Sequence, residues 1–445
     1  MRYSLSYVLY VLSVLYVLGF CRHLHANPEI PGAASEKTIA LVGATLHPVV
    51  GNEIPAGVLV LEKGKIVALG NNVAIPDAAQ RIDVTGKHIY PGLIDAYTDI
   101  GLVEINSIRA TIDSMEIGSI NPNVKSWVAV NPDSEVIPVT RSNGILLTLT
   151  APNGGLIAGR SAVIQLDGWT YEDLTLRSDI GMHVNWPAIS RRRLNVDQES
   201  AKPTTRANPL QALRDAFDVG RAYQKARQSD SDQHPVDTRW EAMLPVFDRK
   251  LPLIVTADSL QQIQSAVAFS VEQNVRLIIH GGYDAPDCAD LLKKHEVPVI
   301  VSGTYRLPQR ESDFYDSSYT VPDRLRQAGV RFCISSTGKF GASGVRNLPY
   351  HAAMAAAFGL PLDEALRAIT LYPAQILGVA DRVGSLEPGK DATLIVTTGD
   401  PLETSTQVES AFIQGRPVEL NDRHKRLWRK YEEKYKRAKS EEPKK

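Results

Sequence analysis

The sequence predicts an α/β protein whose centre is a parallel sheet or barrel, with a small second β domain assembled from both ends of the chain. Two textures along the 445 residues point there. The middle alternates short apolar runs with amphipathic helical stretches, the rhythm of repeated βα units. The flanks carry short alternating β segments broken by glycines. Composition agrees, since 43% hydrophobic and 22% charged residues are ordinary for a globular chain with material for a large core.

The chain opens on a different material. Arg2 gives a short positive start, and Leu5 to Phe20 is almost entirely Val, Leu and Tyr before polar residues lead to Ala26. This is the layout of a secretory leader over 1–26, with cleavage after Ala26. It implies export to the periplasm or the extracellular space, and removal of the leader leaves no stable membrane anchor. An uncleaved anchor is the alternative, because the run approaches the ~17-residue lower limit for spanning.

From Thr38 the β texture runs to residue 90: Thr38–Leu46, Gly57–Glu62, Lys65–Gly70 and Ile82–Val84, with Lys63-Gly64-Lys65 as a tight hairpin turn. It returns over 381–420. Neither block buries a sheet alone, so one discontinuous domain built from both is the economical reading. Between them, 91–380 holds the strand candidates Ile89–Asp95, Gly144–Thr150, Leu253–Thr256, Arg276–Ile279, Val297–Val301 and Val330–Ser335. Helical stretches include Pro209–Gln228, Ser259–Glu272, Leu348–Phe358 and Leu362–Ile369. Residues 152–206 break the rhythm and read as a partly β insertion with a loop at 191–208. The tail 421–445 is rich in Lys and Arg, with Leu427, Tyr431 and Tyr435 at i+4 spacing, and reads as a solvated helix that frays.

Bulk charge excludes some functions. A net charge of −1 and a pI near 6.8 give no electrostatic footprint for nucleic acid. The three cysteines, Cys21, Cys288 and Cys333, form no C-x-x-C pair and offer no cysteine-based zinc site.

Chemistry enters at Pro91-Gly92-Leu93-Ile94-Asp95-Ala96-Tyr97-Thr98-Asp99-Ile100-Gly101. Alternate residues on a strand share a face, so a His-x-His pair at such a strand end grips one divalent ion. Here Tyr97 and Asp99 stand at those two places. The segment resembles the signature P-G-[LFM]-[IV]-D-x-H-x-H of the amidohydrolase superfamily. A second match runs from Arg346-Asn347-Leu348-Pro349-Tyr350-His351 through Tyr372-Pro373-Ala374-Gln375 to Gly384-Ser385-Leu386-Glu387-Pro388-Gly389-Lys390-Asp391-Ala392. It resembles the C-terminal signature of the imidazolonepropionase-like branch.

That resemblance implies a (β/α)8 TIM-like barrel with a small discontinuous β-sandwich domain. It also implies metal-assisted hydrolysis of a non-peptide C–N bond in a cyclic or linear amide, a small-molecule substrate, and ligands on the first, fifth, sixth and eighth strands. Carried over residue by residue, most ligand positions are substituted. The first strand offers Tyr97 and Asp99, the fifth Thr256, the sixth His280, and the eighth Thr337 or a neighbouring serine. The metal candidates are therefore His280 and Asp99, with Tyr97, Thr256 and Thr337 lining the pocket at former ligand positions. Glu104, Asp284 and His183 are conceivable recruits, and Asp95 is a structural residue of the strand-to-loop turn. Hydroxyls are weak zinc ligands, so the expected cofactor is none or a single divalent metal, zinc if present. Two readings stand: a hydrolase impaired in metal binding, or a non-catalytic relative whose barrel mouth binds a small ligand or protein partner.

Overall fold

A computed structural model of the chain describes residues 30–188, 209–230, 233–336 and 341–441. The leader read at 1–26, the loop at 191–208 and the site position Thr337 lie outside the described residues. Pro31–Lys445 forms one compact unit with a TIM-barrel-type α/β fold and an extra domain.

The extra domain begins with β1 (Ile39–Leu46), β2 (Ile54–Glu62), β3 (Lys65–Gly70), β4 (Gln80–Asp83) and β5 (His88–Pro91). The barrel follows with β6 (Leu93–Thr98), β7 (Ile145–Thr150), β8 (Ile157–Arg160), β9 (Ala162–Gln165), β10 (Thr175–Arg177) and β11 (Met182–Asn185). It continues with β12 (Leu253–Ala257), β13 (Leu277–Gly281), β14 (Val299–Ser302) and β15 (Phe332–Ser335). The chain then returns to the extra domain with β16 (Leu394–Thr397), β17 (Val408–Ile413) and β18 (Arg416–Val418).

The sandwich expected from the resemblance is, by hydrogen bonding, one sheet in the order β18-β17-β16-β5-β1-β2-β3, with β4 also on β1. Antiparallel pairing of β5 with β16 joins the contributions of the two chain ends edge to edge. The buried Asp391 carboxylate holds them further, with Lys65 Nζ at 2.6 Å and Arg382 Nη2 at 2.6 Å. Apolar side chains cover both faces, with Leu41, Leu59, Leu394 and Phe412 on one and Ala40, Val58 and Val60 on the other.

In the barrel, β6 and β7 are parallel, and β11, β12, β13, β14 and β15 form a second parallel run. One arm, β8 and β9 separated only by Ser161, closes the gap between them. It pairs antiparallel with β11 on one side and β7 on the other. The irregular segment 152–206 thus supplies a barrel wall of reversed direction, which is why it breaks the βα rhythm in sequence. The other seam, between β15 and β6, is filled by backbone: Ile334 N donates to Ala368 O and Ile94 N to Ile369 O, at 2.9 and 2.8 Å.

Alternation of side chains sorts each strand between two cores. Ile94, Leu147, Leu149, Val163, Ile254, Ile278, Ile300 and Cys333 fill the barrel interior. Val255, Ile279, Val301 and Ile334 face the surrounding helices. The helix Leu260–Glu272 shows how these helices are set. Ser259 and Gln262 form a capping box that satisfies its first amides, as an S-x-x-Q start should. Gln262 Nε2 also reaches back to Trp186 O at 3.1 Å, fixing the helix to the end of β11.

Candidate active site at the barrel mouth

Strand register brings three aromatic side chains together above the interior core. His280 ends β13 and is level with Thr256 of β12, while His183 on β11 is level with Ile254, one layer deeper. Tyr97 near the end of β6 bridges them. Its ring lies flat on the His280 imidazole, centroids 3.6 Å apart and planes 2° from parallel. It meets His183 edge-on at 5.4 Å and 64°. Thr256 Oγ1 stands 3.2 Å from His280 Nδ1.

The chain can turn sharply after His280 because Gly281 and Gly282 have φ of +106° and +71°. A Cβ on Gly281 would lie 2.8 Å from Asp258 Oδ1 and 2.9 Å from Ala257 O. Only glycine fits both that conformation and that contact.

The polar atoms left in this nest are few and buried. His280 and His183 are 4% and 2% exposed. His280 Nε2 and both nitrogens of His183 have no hydrogen-bond partner among the described residues. Burial lowers the pKa of each imidazole to about 3, assisted at His183 by His280. At His280, Asp258 opposes the shift and Arg306 adds to it. Both rings are therefore neutral at physiological pH, with lone pairs available to a ligand.

The carboxylates named in the sequence have other engagements. Asp95, fully buried, ties the β6–β15 seam. Its Oδ1 accepts from Tyr97 N at 3.2 Å and its Oδ2 from Ser336 N at 3.0 Å and from Ser336 Oγ. Burial raises its pKa to about 7 against those hydrogen bonds. Asp99 faces Gly341, on which a Cβ would come within 3.0 Å of its Oδ2. Burial raises its pKa, and the backbone amide of Ala342 opposes this. Asp284 is held by both Arg310 nitrogens at 2.9 and 2.5 Å and by Leu260 N at 3.0 Å. Glu104 accepts from Asn131 at 3.5 Å.

The sequence alone does not single out the pair Asp258–Arg306, a bidentate contact at 3.0 and 2.7 Å beside the mouth. Burial pushes the Asp258 carboxyl up, but Arg306 more than offsets it and its pKa is lowered. His183 was one of three conceivable recruits, and its Gly-Met-His-Val-Asn-Trp-Pro setting carries no spacing signal. Only the parallel register of β11 with β12 turns it inward.

Tetrahedral zinc takes three or four nitrogen, sulfur or carboxylate donors. Among the described residues no three His, Cys, Asp or Glu side chains are grouped to hold an ion. Around Tyr97 the donors are two imidazoles. The described donor set does not fit a zinc centre of the usual composition.

Comparison with known proteins accords with this architecture. Residues 259–418 match the model of the amidohydrolase family. Imidazolonepropionase of Mesorhizobium japonicum is 25% identical over 414 residues, 84% of this chain and 92% of that protein. Amidohydrolase tasK of Hapsidospora irregularis is 23% identical over 454 residues, 89% of this chain; the match spans only 43% of that longer protein. The crystal structure of an amidohydrolase from Thermotoga maritima superposes with a TM-score of 0.76 at 25% identity, over 86% of this chain and 99% of that one. The family match, the imidazolonepropionase relatives and the shared fold together support membership of the amidohydrolase superfamily, on its imidazolonepropionase-like branch.

Proposed function

We propose that this protein is an exported member of the superfamily whose barrel mouth receives a small cyclic or linear amide. Its inherited reaction, metal-assisted hydrolysis of a non-peptide C–N bond, is impaired at the step of metal binding. One observation carries the reading. Two positions that would present imidazoles to an ion instead immobilise the surviving one. Tyr97 covers the face of His280, and Thr256 sits against its Nδ1. What remains is a recognition site, in which His280 Nε2 and the His183 nitrogens can each hydrogen-bond a carbonyl or N–H of a bound amide.

The test is metal analysis of the purified protein together with a hydrolysis screen over hydantoins, lactams and acyl dipeptides, with His280→Ala as control. The expected result is substoichiometric zinc and turnover that added zinc does not raise. Stoichiometric zinc with turnover that depends on His280 would overturn the proposal.

A second reading, a non-catalytic relative that binds a partner at its mouth, draws on exposed apolar side chains in two mouth loops. Ile105, Ile108 and Ile117 follow β6, and Leu307, Phe314 and Tyr315 follow β14. Single exposed apolar residues need no explanation, but several on the loops beyond strand ends offer apolar surface to a partner. Ligand-induced thermal stabilisation without turnover of any compound in the screen would favour this reading.

A further inference from the structure

The C-terminal helix Arg423–Glu441 has no role in the barrel site, and its surface is unlike the rest of the molecule. Its first turn is tied down. Asp422 caps it through Lys425 N at 3.0 Å, Arg426 reaches Glu135 at 3.3 Å, and Arg346 contacts His424 at 2.7 Å. Beyond that turn the helix leaves the body of the protein. Leu427, Trp428, Tyr431 and Tyr435 are 42, 64, 49 and 63% exposed, so they do not pack against the barrel. At 100° per residue the four fall within an arc of about 100°.

The opposite and flanking faces are cationic. Between Arg423 and Arg437 the sequence has eight Lys or Arg against two Glu. Both glutamates are engaged within the helix, Glu432 with Lys436 at 3.1 Å and Glu433 with Arg437 at 2.8 Å. Such i,i+4 pairs support a helix that lacks a packed face. Lys430 and Lys434 instead border the aromatic stripe, each about 6 Å above the Tyr431 ring, Lys434 also above Tyr435.

We propose that this helix is a surface-binding element for anionic lipid bilayers. It lies in the headgroup plane with Leu427, Trp428, Tyr431 and Tyr435 inserted and its lysines and arginines on lipid phosphates. Apolar and aromatic residues on one arc, strong positive charge on the other and low overall hydrophobicity are the features that set an interfacial helix apart from a spanning one. No helix among the described residues is long and apolar enough to cross a membrane. The excess of positive charge selects an anionic surface, and the Trp and Tyr stripe selects a lipid interface over a polyanion such as DNA, which would need only the charge.

Co-sedimentation of the full chain with vesicles tests this, comparing phosphatidylglycerol mixed into phosphatidylcholine with phosphatidylcholine alone. Binding to the anionic vesicles is expected to be roughly tenfold tighter and to weaken as salt rises from about 0.05 to about 0.5 M. Trp428→Ser with Tyr431→Ser should lose roughly tenfold in binding at unchanged circular dichroism. Lys430→Glu with Lys434→Glu should abolish the preference for anionic lipid. Equal binding to both vesicle types, or binding to neither, would overturn the proposal. So would equally tight, salt-sensitive binding to a DNA duplex that is indifferent to Trp428→Ser.

Discussion

The ring of Tyr97 lies parallel to the imidazole of His280 at 3.6 Å, so Tyr97 is the aromatic support of that buried histidine. Offset or stacked aromatic pairs add about 0.5–1.5 kcal/mol beyond the area they bury. Tyr97→Phe keeps the ring and is expected to change stability by less than about 1 kcal/mol. Tyr97→Ala removes the stack and leaves a void over His280 and His183, at a cost of about 3 kcal/mol. Urea unfolding of the two variants separates these outcomes, and equal losses would show that the hydroxyl, not the stack, matters.

The same geometry predicts how a zinc site is built here. Positions 97 and 256 lie beside His280 at the C-terminal ends of β6 and β12, and position 99 follows just past the end of β6. The triple change Tyr97→His, Asp99→His and Thr256→His supplies three imidazoles beside His280, enough for tetrahedral zinc. One zinc per chain by plasma mass spectrometry is expected for this variant, against well under one for the parent. A variant that folds and stays metal-free would show that the strand ends are not spaced to bring these imidazoles onto one ion.

Acid lability follows from the buried imidazoles. Burial lowers His183 and His280 from 6.5 to about 3, and His351 to about 4. Between those values and 6.5 the unfolded chain takes up protons that the native state refuses. Their contribution is thus complete above pH 6.5 and is lost as pH falls toward 3–4. Asp95 works the other way. Raised from 3.8 to about 7, it contributes fully below pH 3.8, and its contribution is lost as pH rises through 7. From pH 6.5 down to 4 three histidines act against one carboxyl, so net stability falls on acidification. The thermal midpoint is expected to drop between pH 7 and pH 5, and to drop less in His183→Phe. A midpoint that rises toward pH 5 would mean these imidazoles are protonated in the fold.

Much of this arrangement was legible in the residues. The βα rhythm located β7, β12, β13, β14 and β15 to within a few residues, because strands buried on both faces are apolar runs of the right length. His280 stood out because it ends such a run before two glycines. Its neighbours did not. His183 lies 97 positions earlier, on a strand whose inward face no alternation marks, since Met182 and Val184 are apolar too. The antiparallel arm β8–β9 was read as an insertion, because a reversed wall has none of the sequence rhythm of its parallel neighbours. The engagement of Asp284 by Arg310 is equally invisible without coordinates, and it takes one of the nearby carboxylates out of reach of a metal.

A final expectation concerns the joint between the barrel and the extra domain. Arg141 and Asp167 are 1% and 3% exposed and meet at 3.2 Å, with Arg416 of β18 on the second oxygen of Asp167 at 3.3 Å. Arg141 also donates to Leu166 O at 2.6 Å and through Nε to Glu419 O at 3.0 Å, and Gly32 N donates to Asp167 at 3.1 Å. Asp167 thereby links the barrel wall after β9 to both chain ends. Burial lowers the pKa of Arg141, which Asp167 opposes; the guanidinium stays charged, since arginine does not deprotonate in proteins. Removing one partner of a buried pair strands the other charge, at a cost of about 3–5 kcal/mol. Asp167→Ala should lose that much in urea unfolding. Asp167→Leu with Arg141→Met, which leaves fewer unpaired charges, should lose less than Asp167→Ala despite being the larger change. If the double variant is the weaker of the two, the joint depends on hydrogen bonds to Leu166 and Glu419 and not on compensation of charge.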